Sequence, residues 1–363
     1  MEMERTGIHQ EILSRGSVFR LWIRRHGVGL AGLVILAGLP FWLSGIRGEP
    51  VEAGWPRFLQ GLLIRVYLMA VYALSYDLLM GYTGILSFGH ALFFGGGAYI
   101  IGILLKHFQA PLLVAMLAVT LFAMGISGLV GALSLRVRGV YLAMVTLALA
   151  QAAFILSEAT DFRQYTGAED GLQGIPVPAW LDPAEHRLRF YYLAMVFMLG
   201  AYFLVRRLVD SPTGRVWIAL RENEERAVAL GYSPLAFRLL AFMCSGTLAA
   251  LAGALNALFN KNATPSLLSV NTTIQALLMT LVGGVGTLSG PMFGAALLEL
   301  AGYLFNRVFG PLWFLLFGLF YVMVVLAFPH GLAGAWRRAW ARHHGPLQGS
   351  APGSEGSARS ASL

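Results

Sequence analysis

The feature that most constrains this chain is a succession of apolar stretches that recur from Val28 to Pro329. A hydrocarbon core roughly 30 Å thick takes about 20 apolar residues of helix to cross, and these stretches repeatedly approach that length. They are continuous rather than alternating, so helices and not barrel strands are the spanning element, each satisfying its backbone polar groups within its own segment. Only 12% of the residues are charged and 57% are hydrophobic, whereas soluble domains carry about a quarter charged residues. Such a chain cannot coat a water-soluble surface. The expected fold class is all-α: a polytopic transmembrane helix bundle in a lipid bilayer, with about ten spans and interrupted helices.

The expected spans are 28–44, 58–80, 85–105, 111–135, 139–157, 189–209, 235–260, 271–284, 291–305 and 311–329. The 271–284 run is short and counts as a span because breakers follow it. Residues 1–27 carry Arg5, Arg15, Arg20, Arg24 and Arg25. This basic region is long and no small-x-small site follows, so the first apolar run reads as an uncleaved span rather than a signal peptide. Basic residues favour the cytoplasmic side. Arg136 and Arg138 mark one cytoplasmic turn, the 206–234 loop holds Arg206, Arg207, Arg215, Arg221 and Arg226, and Arg337, Arg338 and Arg342 follow the last span. Both termini are therefore expected in the cytoplasm, which requires an even number of spans. The transmembrane domain covers 28–330. The 158–188 segment, with Glu158, Asp161, Glu169, Asp170, Asp182 and Glu185, falls on the outer face, and 331–363 is a cytoplasmic, largely disordered tail rich in Gly, Ser, Ala and Pro.

The net charge of +8 is accounted for by the cytoplasmic loops, and no basic face with interleaved aromatics suggests nucleic acid. Cys244 is the single cysteine, so an intrachain disulfide is excluded. No histidine or carboxylate spacing matches a metal site, and no catalytic residue is assigned. Gly125, Gly128 and Gly131 are small residues of the kind that let membrane helices approach closely.

Two glycine-interrupted segments carry the first functional signal. Gly81-Tyr-Thr-Gly84-Ile-Leu-Ser87-Phe-Gly89-His90 and Gly283-Gly284-Val-Gly286-Thr-Leu-Ser289-Gly290-Pro291 both contain Gly-x-Leu-Ser. Paired breaks in the two halves of a transporter point to the substrate path, because unwound backbone offers polar groups inside an apolar bundle. The alternative is a pair of tight turns with glycines for packing. Gly84, Ser87, Gly89, His90, Gly286 and Ser289 are the candidate path residues. The ten-span count gives both breaks the same orientation, so either the repeat is parallel or one break is re-entrant. His90 is an ionisable group at membrane depth, a functional candidate by default, although a histidine satisfied by a carbonyl is the commoner case. Arg65, Asp77 and Glu299 also lie in apolar runs, with Arg65 and Asp77 expected near helix ends, where they snorkel.

The second signal is the loop from Asp210 to Gly231. Asn223 and the acidic residues Glu222, Glu224 and Glu225 open a short helix that ends at Gly231, with Pro234 before the next span. Its mixed charge does not suit a membrane-surface anchor. A polar helix held between two spans is either a solvated connector or a dock for a soluble partner.

The stretch Glu225-x-Ala227-x-x-x-Gly231 is similar to the EAA motif of ABC importer permeases, with Arg226 in place of the usual second alanine. Gly81-Tyr-Thr-Gly-Ile-Leu-Ser-Phe-Gly-His-Ala91, Tyr141-Leu-Ala-Met-Val-Thr146, Thr166-Gly-Ala-Glu-Asp-Gly171-Leu, the Ser211 to Gly231 loop and Leu281-Val-Gly-Gly-Val-Gly286-Thr-Leu-Ser-Gly290-Pro occur in the order seen in LivM-type permeases. The chain resembles that family from about Gly81 to Phe328. The Thr166-Gly-Ala segment departs from the family's Thr-Gly-Gly form.

The resemblance implies a permease subunit of an ABC importer for branched-chain amino acids, with relatives serving urea and short amides, in a bacterial inner membrane. It implies a LivH-like second permease, two ATP-binding subunits and a periplasmic substrate-binding protein. It places coupling to the ATPase at Arg221, Glu225, Ala227 and Gly231. ATP and Mg would be held by the partner subunits, with no cofactor on this chain, which has no P-loop. Two other readings stay open from the residues alone: a secondary transporter or channel acting by itself, and a membrane-embedded enzyme using His90.

Overall fold

The computed structural model describes residues 54–327 throughout, together with 35–42 and a few isolated positions on either side. The basic N-terminal region 1–27, residues 28–34 of the first expected span and the tail from 335 lie outside the described residues.

Helix α1 spans Gly54–Asp77 and continues through a π-helical turn, Leu78–Thr83. It is followed by α2 (His90–Lys106), α3 (Leu112–Ser134), α4 (Val140–Glu158) and α5 (Arg187–Asp210). Two short helices, α6 (Pro212–Glu222) and α7 (Glu224–Ala229), lead into α8 (Pro234–Asn260), α9 (Val270–Gly283), α10 (Ser289–Phe309) and α11 (Trp313–Ala327). Residues 35–42 are also helical, and the Tyr191 and Tyr192 hydroxyls of α5 donate to Leu36 and Ala37 carbonyls at 2.5 and 2.8 Å. Each of the ten expected spans thus coincides with helix, the first through 35–42 alone. Five are long and apolar enough to cross a bilayer by themselves: α1 with its π turn, α3, α4, α5 and α8.

α1 is the axis of the bundle. Every residue from Val66 to Leu79 is buried, under α5, α8, α9 and α10. By contrast, α3, α4 and α11 turn large apolar side chains outward. On α3 these are Leu113, Leu117 and Leu121, four residues apart and so on one helix face, with Leu113 84% exposed. Hydrocarbon is the solvent that suits such a face, since lipid tails are as apolar as leucine. The chain is a multi-pass membrane protein.

Helix association in lipid rests on close packing rather than on exclusion of water. The closest approach is between α2 and α8. A Cβ on Gly97 would lie 2.0 Å from the Ala250 carbonyl oxygen, and one on Gly253 would lie 1.8 Å from that of Phe94. Of the three α3 glycines expected to serve this purpose, Gly131 does so, its Cβ position falling 2.8 Å from Leu239 Cδ1. Gly125 faces open space.

The bundle has two unlike ends. One gathers the start of α1, the 158–186 segment and the 261–269 segment, joined by a two-residue antiparallel pairing of Leu172 with Ala263 and Gln173 with Asn262. Lys106 Nζ donates to the Gln173 carbonyl at 2.6 Å, and Lys261 pairs with Asp182 at 2.7 Å. The Lys261 hydrogen bond holds the Asp182 carboxyl below its ordinary value. The other end gathers both glycine-rich breaks and the α6–α7 module.

Candidate functional site

The two breaks meet. Asp77, fully buried near the C-terminus of α1, accepts the Gly286 N–H at 2.6 Å and the Leu288 N–H at 3.4 Å. The Tyr82 hydroxyl donates to the Gly286 carbonyl at 3.1 Å. A carboxylate is the one short side chain that can serve two adjacent amide donors at once. Gly81 lies in the crevice between them, where a Cβ would fall 2.2 Å from Asp77 Oδ1 and 2.6 Å from Gly286 N. Both breaks therefore lie at the same end of the bundle, in the shared orientation the span count gave, and neither has to be re-entrant. Asp77 does not snorkel. Its side chain is too short to reach water from the bundle axis and is satisfied by the second break instead.

A third strand of chain closes this junction. The Arg221 guanidinium donates to the Gly81 carbonyl, and its stem covers Gly84, whose Cβ position is 3.2 Å from Arg221 Cγ. Arg221 Nη1 is also 3.3 Å from the Cβ position of Gly286. The structure thus brings Gly84, Gly286 and Arg221 together around Asp77 and Gly81, two residues that sequence reasoning did not assign to the site.

Arg221 belongs to α6, which is built as an amphipathic helix. Ser211 caps it and Pro212 opens its first turn. Its buried face is Val216, Trp217 and Leu220, with Trp217 Nε1 donating to the Phe237 carbonyl at 2.8 Å. Asn223 breaks the helix and caps α7, its Oδ1 accepting the Arg226 N–H at 2.9 Å, as expected for the start of that helix. Ala227 is buried against Val216, Leu220 and Phe237, so a small side chain is what lets α7 lie down on α6. Gly231, with φ +87°, ends the turn. Glu224 pairs with Arg238 of α8 at 2.9 Å and Arg138 of the α3–α4 turn at 3.2 Å. Glu225 is exposed and forms no ion pair among the described residues. Around it α7 and the following turn expose Val228, Leu230 and Tyr232, Leu230 to 73%. A cavity of about 360 Å³ lies between this module, Leu86 and the α3–α4 turn.

Ser87, Gly89 and His90 make their contacts apart from the junction, whereas Ser289 directly follows the clamped Leu288. Ser87 is buried, and its Oγ accepts the Gly89 N–H at 3.3 Å. Gly89 packs on the Thr146 carbonyl of α4, and the Phe88 N–H reaches Thr146 Oγ1 at 3.1 Å. His90, the first residue of α2, is fully buried among Tyr72, Tyr76 and Phe93. Its Nε2 lies 2.8 Å from Ser75 Oγ, which itself donates to the Tyr72 carbonyl at 2.7 Å. His90 Nδ1 has no hydrogen-bond partner among the described residues. Ser289 opens α10, its hydroxyl turned to the Thr287 carbonyl at 3.4 Å.

Arg65 is not near a helix end. α1 begins four residues earlier than the expected span and runs without a break into the π turn, so Arg65 lies about 16 Å along the helix from its start, one turn past Gly61, whose Cβ position is 3.5 Å from the Arg187 guanidinium of α5. Arg65 Nε contacts Glu299 Oε2 at 2.8 Å, and Gln275 Nε2 donates to Glu299 Oε1 at 3.1 Å. Two opposite charges inside separate apolar runs were the sequence signal for this cluster; their pairing across α1 and α10 was not readable. Among the described residues no group of three or more His, Cys, Asp or Glu side chains could hold a metal.

A helical membrane bundle with paired breaks in contact, locked by a polar helical module between two spans, defines a transport subunit. The family described as branched-chain amino acid transport system, permease component, matches residues 58–328, and the chain belongs to it. The chain is 27% identical over 341 residues to the high-affinity branched-chain amino acid transport system permease protein LivM of Escherichia coli K12, covering 83% of this chain and 80% of the relative. It is 26% identical over 334 residues to the probable branched-chain amino acid transport permease protein LivM of Methanocaldococcus jannaschii, covering 84% and 93%. A more partial likeness, 30% over 251 residues, covering 65% and 69%, is to the autoinducer 2 import system permease protein LsrC of an Enterobacter species. No solved structure matches the chain.

Proposed function

We propose that this chain is one of two permease subunits of an ATP-driven importer and moves branched-chain or related amino acids across the inner membrane by alternating access. The observation that carries the reading is the Arg221 contact with Gly81, which ties the α6–α7 module to the point where the two breaks meet. A soluble ATPase that engages α7 at Glu225 and the exposed Val228 and Leu230 would move a module already fastened to the junction. Ala227 and Gly231 would serve by keeping α7 flat and correctly ended. ATP and Mg are assigned to two partner ATPase subunits, and a LivH-like permease would complete the path. The module end is assigned to the cytoplasm with both termini. The opposite end, with Asp161, Glu169, Asp170 and Glu185 exposed, would receive a periplasmic binding protein. ATP binding can shift the permease pair only if it favours one conformation over the other, and the junction is where two such packings would differ.

The test is reconstitution of the chain with its second permease, ATPase subunits and binding protein in proteoliposomes. Leucine uptake is expected to require ATP. Uptake that persists without ATP on an ion gradient would replace this reading with that of a secondary transporter.

A further inference from the structure

Arg65 is anomalous in its own helix. Of the residues from Gly61 to Thr83 it alone is exposed, and nearer the start of the helix Trp55 and Phe58 are exposed as well. Its side chain is 59% exposed, while that of its partner Glu299 is 6% exposed. An arginine exposed to hydrocarbon inside an apolar run is costly, by up to about 2.5–3.5 kcal/mol at a helix centre on insertion scales, and such residues normally face a bundle interior or a water-filled cavity. The opening beside Arg65 therefore belongs to an aqueous or subunit-lined space rather than to lipid.

We infer that Arg65, Glu299 and Gln275 form a station on the translocation path that takes a zwitterionic α-amino acid, the substrate carboxylate on the Arg65 guanidinium and its ammonium on Glu299. This rests on the permease reading above. Three features support it. Glu299 engages the Nε edge of Arg65, and the remaining guanidinium donors have no hydrogen bond among the described residues, which leaves a planar fork suited to a carboxylate. A zwitterion entering the pair exchanges one ion pair for two without changing the net charge of the site, so no isolated charge is created at membrane depth. Glu299 and Gln275 also lie on α10 and α9, the two helices that the second break joins, while Arg65 lies on α1, whose Asp77 holds that break. A shift at the junction therefore changes the spacing between the carboxylate partner and the ammonium partner, which couples affinity at the station to the state of the module.

The experiment uses the complete importer in proteoliposomes, in a Cys244→Ser background, carrying Arg65→Cys with Glu299→Gln so that no buried charge is left unpaired. The probe is [2-(trimethylammonium)ethyl] methanethiosulfonate, a water-soluble cation that does not enter lipid, and labelling is read by mass. The introduced thiol is expected to react in at least one nucleotide state. A thiol that is inert in every state overturns the aqueous path at this position, whether or not the parent complex transports. Arg65→Gln is accordingly expected to lower leucine uptake by roughly ten- to a hundred-fold, the value of a charged hydrogen bond, with Arg65→Lys restoring part of it. Uptake by Arg65→Gln within about twofold of the parent, in a complex that still assembles, overturns the carboxylate assignment.

Discussion

Gly84-Ile-Leu-Ser87 and Gly286-Thr-Leu-Ser289 share a tetrapeptide pattern, and both start in the left-handed region, with φ +72° at Gly84 and +71° at Gly286. They then diverge. In the first break the serine is followed by two more non-helical residues before α2 begins at His90, and the segment is held by packing on Thr146 of α4. In the second, Leu288 takes φ +57° and α10 begins at Ser289 itself. With ψ −58°, Leu288 is the centre of a γ-turn closed by the Ser289 N–H donating to the Thr287 carbonyl at 2.7 Å, a rare and strained conformation. The second break is held in that conformation by Asp77 and Tyr82 from the other half of the chain. The same local pattern thus gives a linker packed on α4 in one place and a clamped turn in the other. A clamped, strained turn is the better candidate for a switch, because its geometry depends on contacts that a partner can rearrange.

The comparison can be broken most directly at the clamp. Asp77→Ala removes the acceptor of two buried N–H groups, each worth about 1–3 kcal/mol when orphaned. The detergent-solubilised protein is expected to lose about 2–6 kcal/mol of stability by this sum, read as a fall in the thermal unfolding midpoint. An unchanged midpoint would mean that the Asp77 clamp is not what holds the second break. Gly81→Ala drives a methyl group against Asp77 and should cost about 1–3 kcal/mol by overpacking, with loss of permease-stimulated ATP hydrolysis. If hydrolysis in the complex remains at the parent level, the junction is not the element being moved.

The third contrast is between α7 and the junction. Glu225→Arg alters an exposed residue and should change stability by no more than about 0.5 kcal/mol, while uptake and ATPase stimulation fall together. Retention of both would remove Glu225 from the coupling surface. The smallest effect belongs to the far end. The Asp182 carboxyl is depressed by Lys261, so this pair contributes stability that is present above the unfolded carboxylate value, about 3.9, and is lost as pH falls through the lower folded value. As an exposed pair it should contribute about 0–1 kcal/mol. Lys261→Gln should leave the midpoint at pH 7 slightly lower and remove the difference from parent in strong acid. A larger loss at pH 7 than in Asp77→Ala would invert the ranking of the two ends.

Much of the bundle was legible in the chain. The apolar runs matched helices because the length needed to cross hydrocarbon is a one-dimensional property. Asn223, Ala227 and Gly231 fell into a capped short helix because caps are local chemistry. The misplacement of Arg65 and Asp77 has the opposite cause. Whether a charge in an apolar run snorkels or pairs depends on what faces it, and their partners, Glu299 and the Gly286 and Leu288 amides, lie more than two hundred residues away in sequence. Gly125 and Gly131 look alike in the chain, yet only one is opposite a neighbouring helix.

The sequence by itself determined that this protein crosses a membrane about ten times as helices, that two of its helical runs are interrupted by a repeated glycine pattern, and that one polar helix stands between spans. Composition and periodicity act residue by residue, so they can be read without the fold. The tertiary structure alone decided that the two breaks touch, that Asp77 joins them, that Arg221 fastens the polar module to that joint, and that Arg65 pairs with Glu299. Each of those depends on which helix lies against which, and in a bilayer close packing of side chains, rather than hydrophobicity, makes that choice.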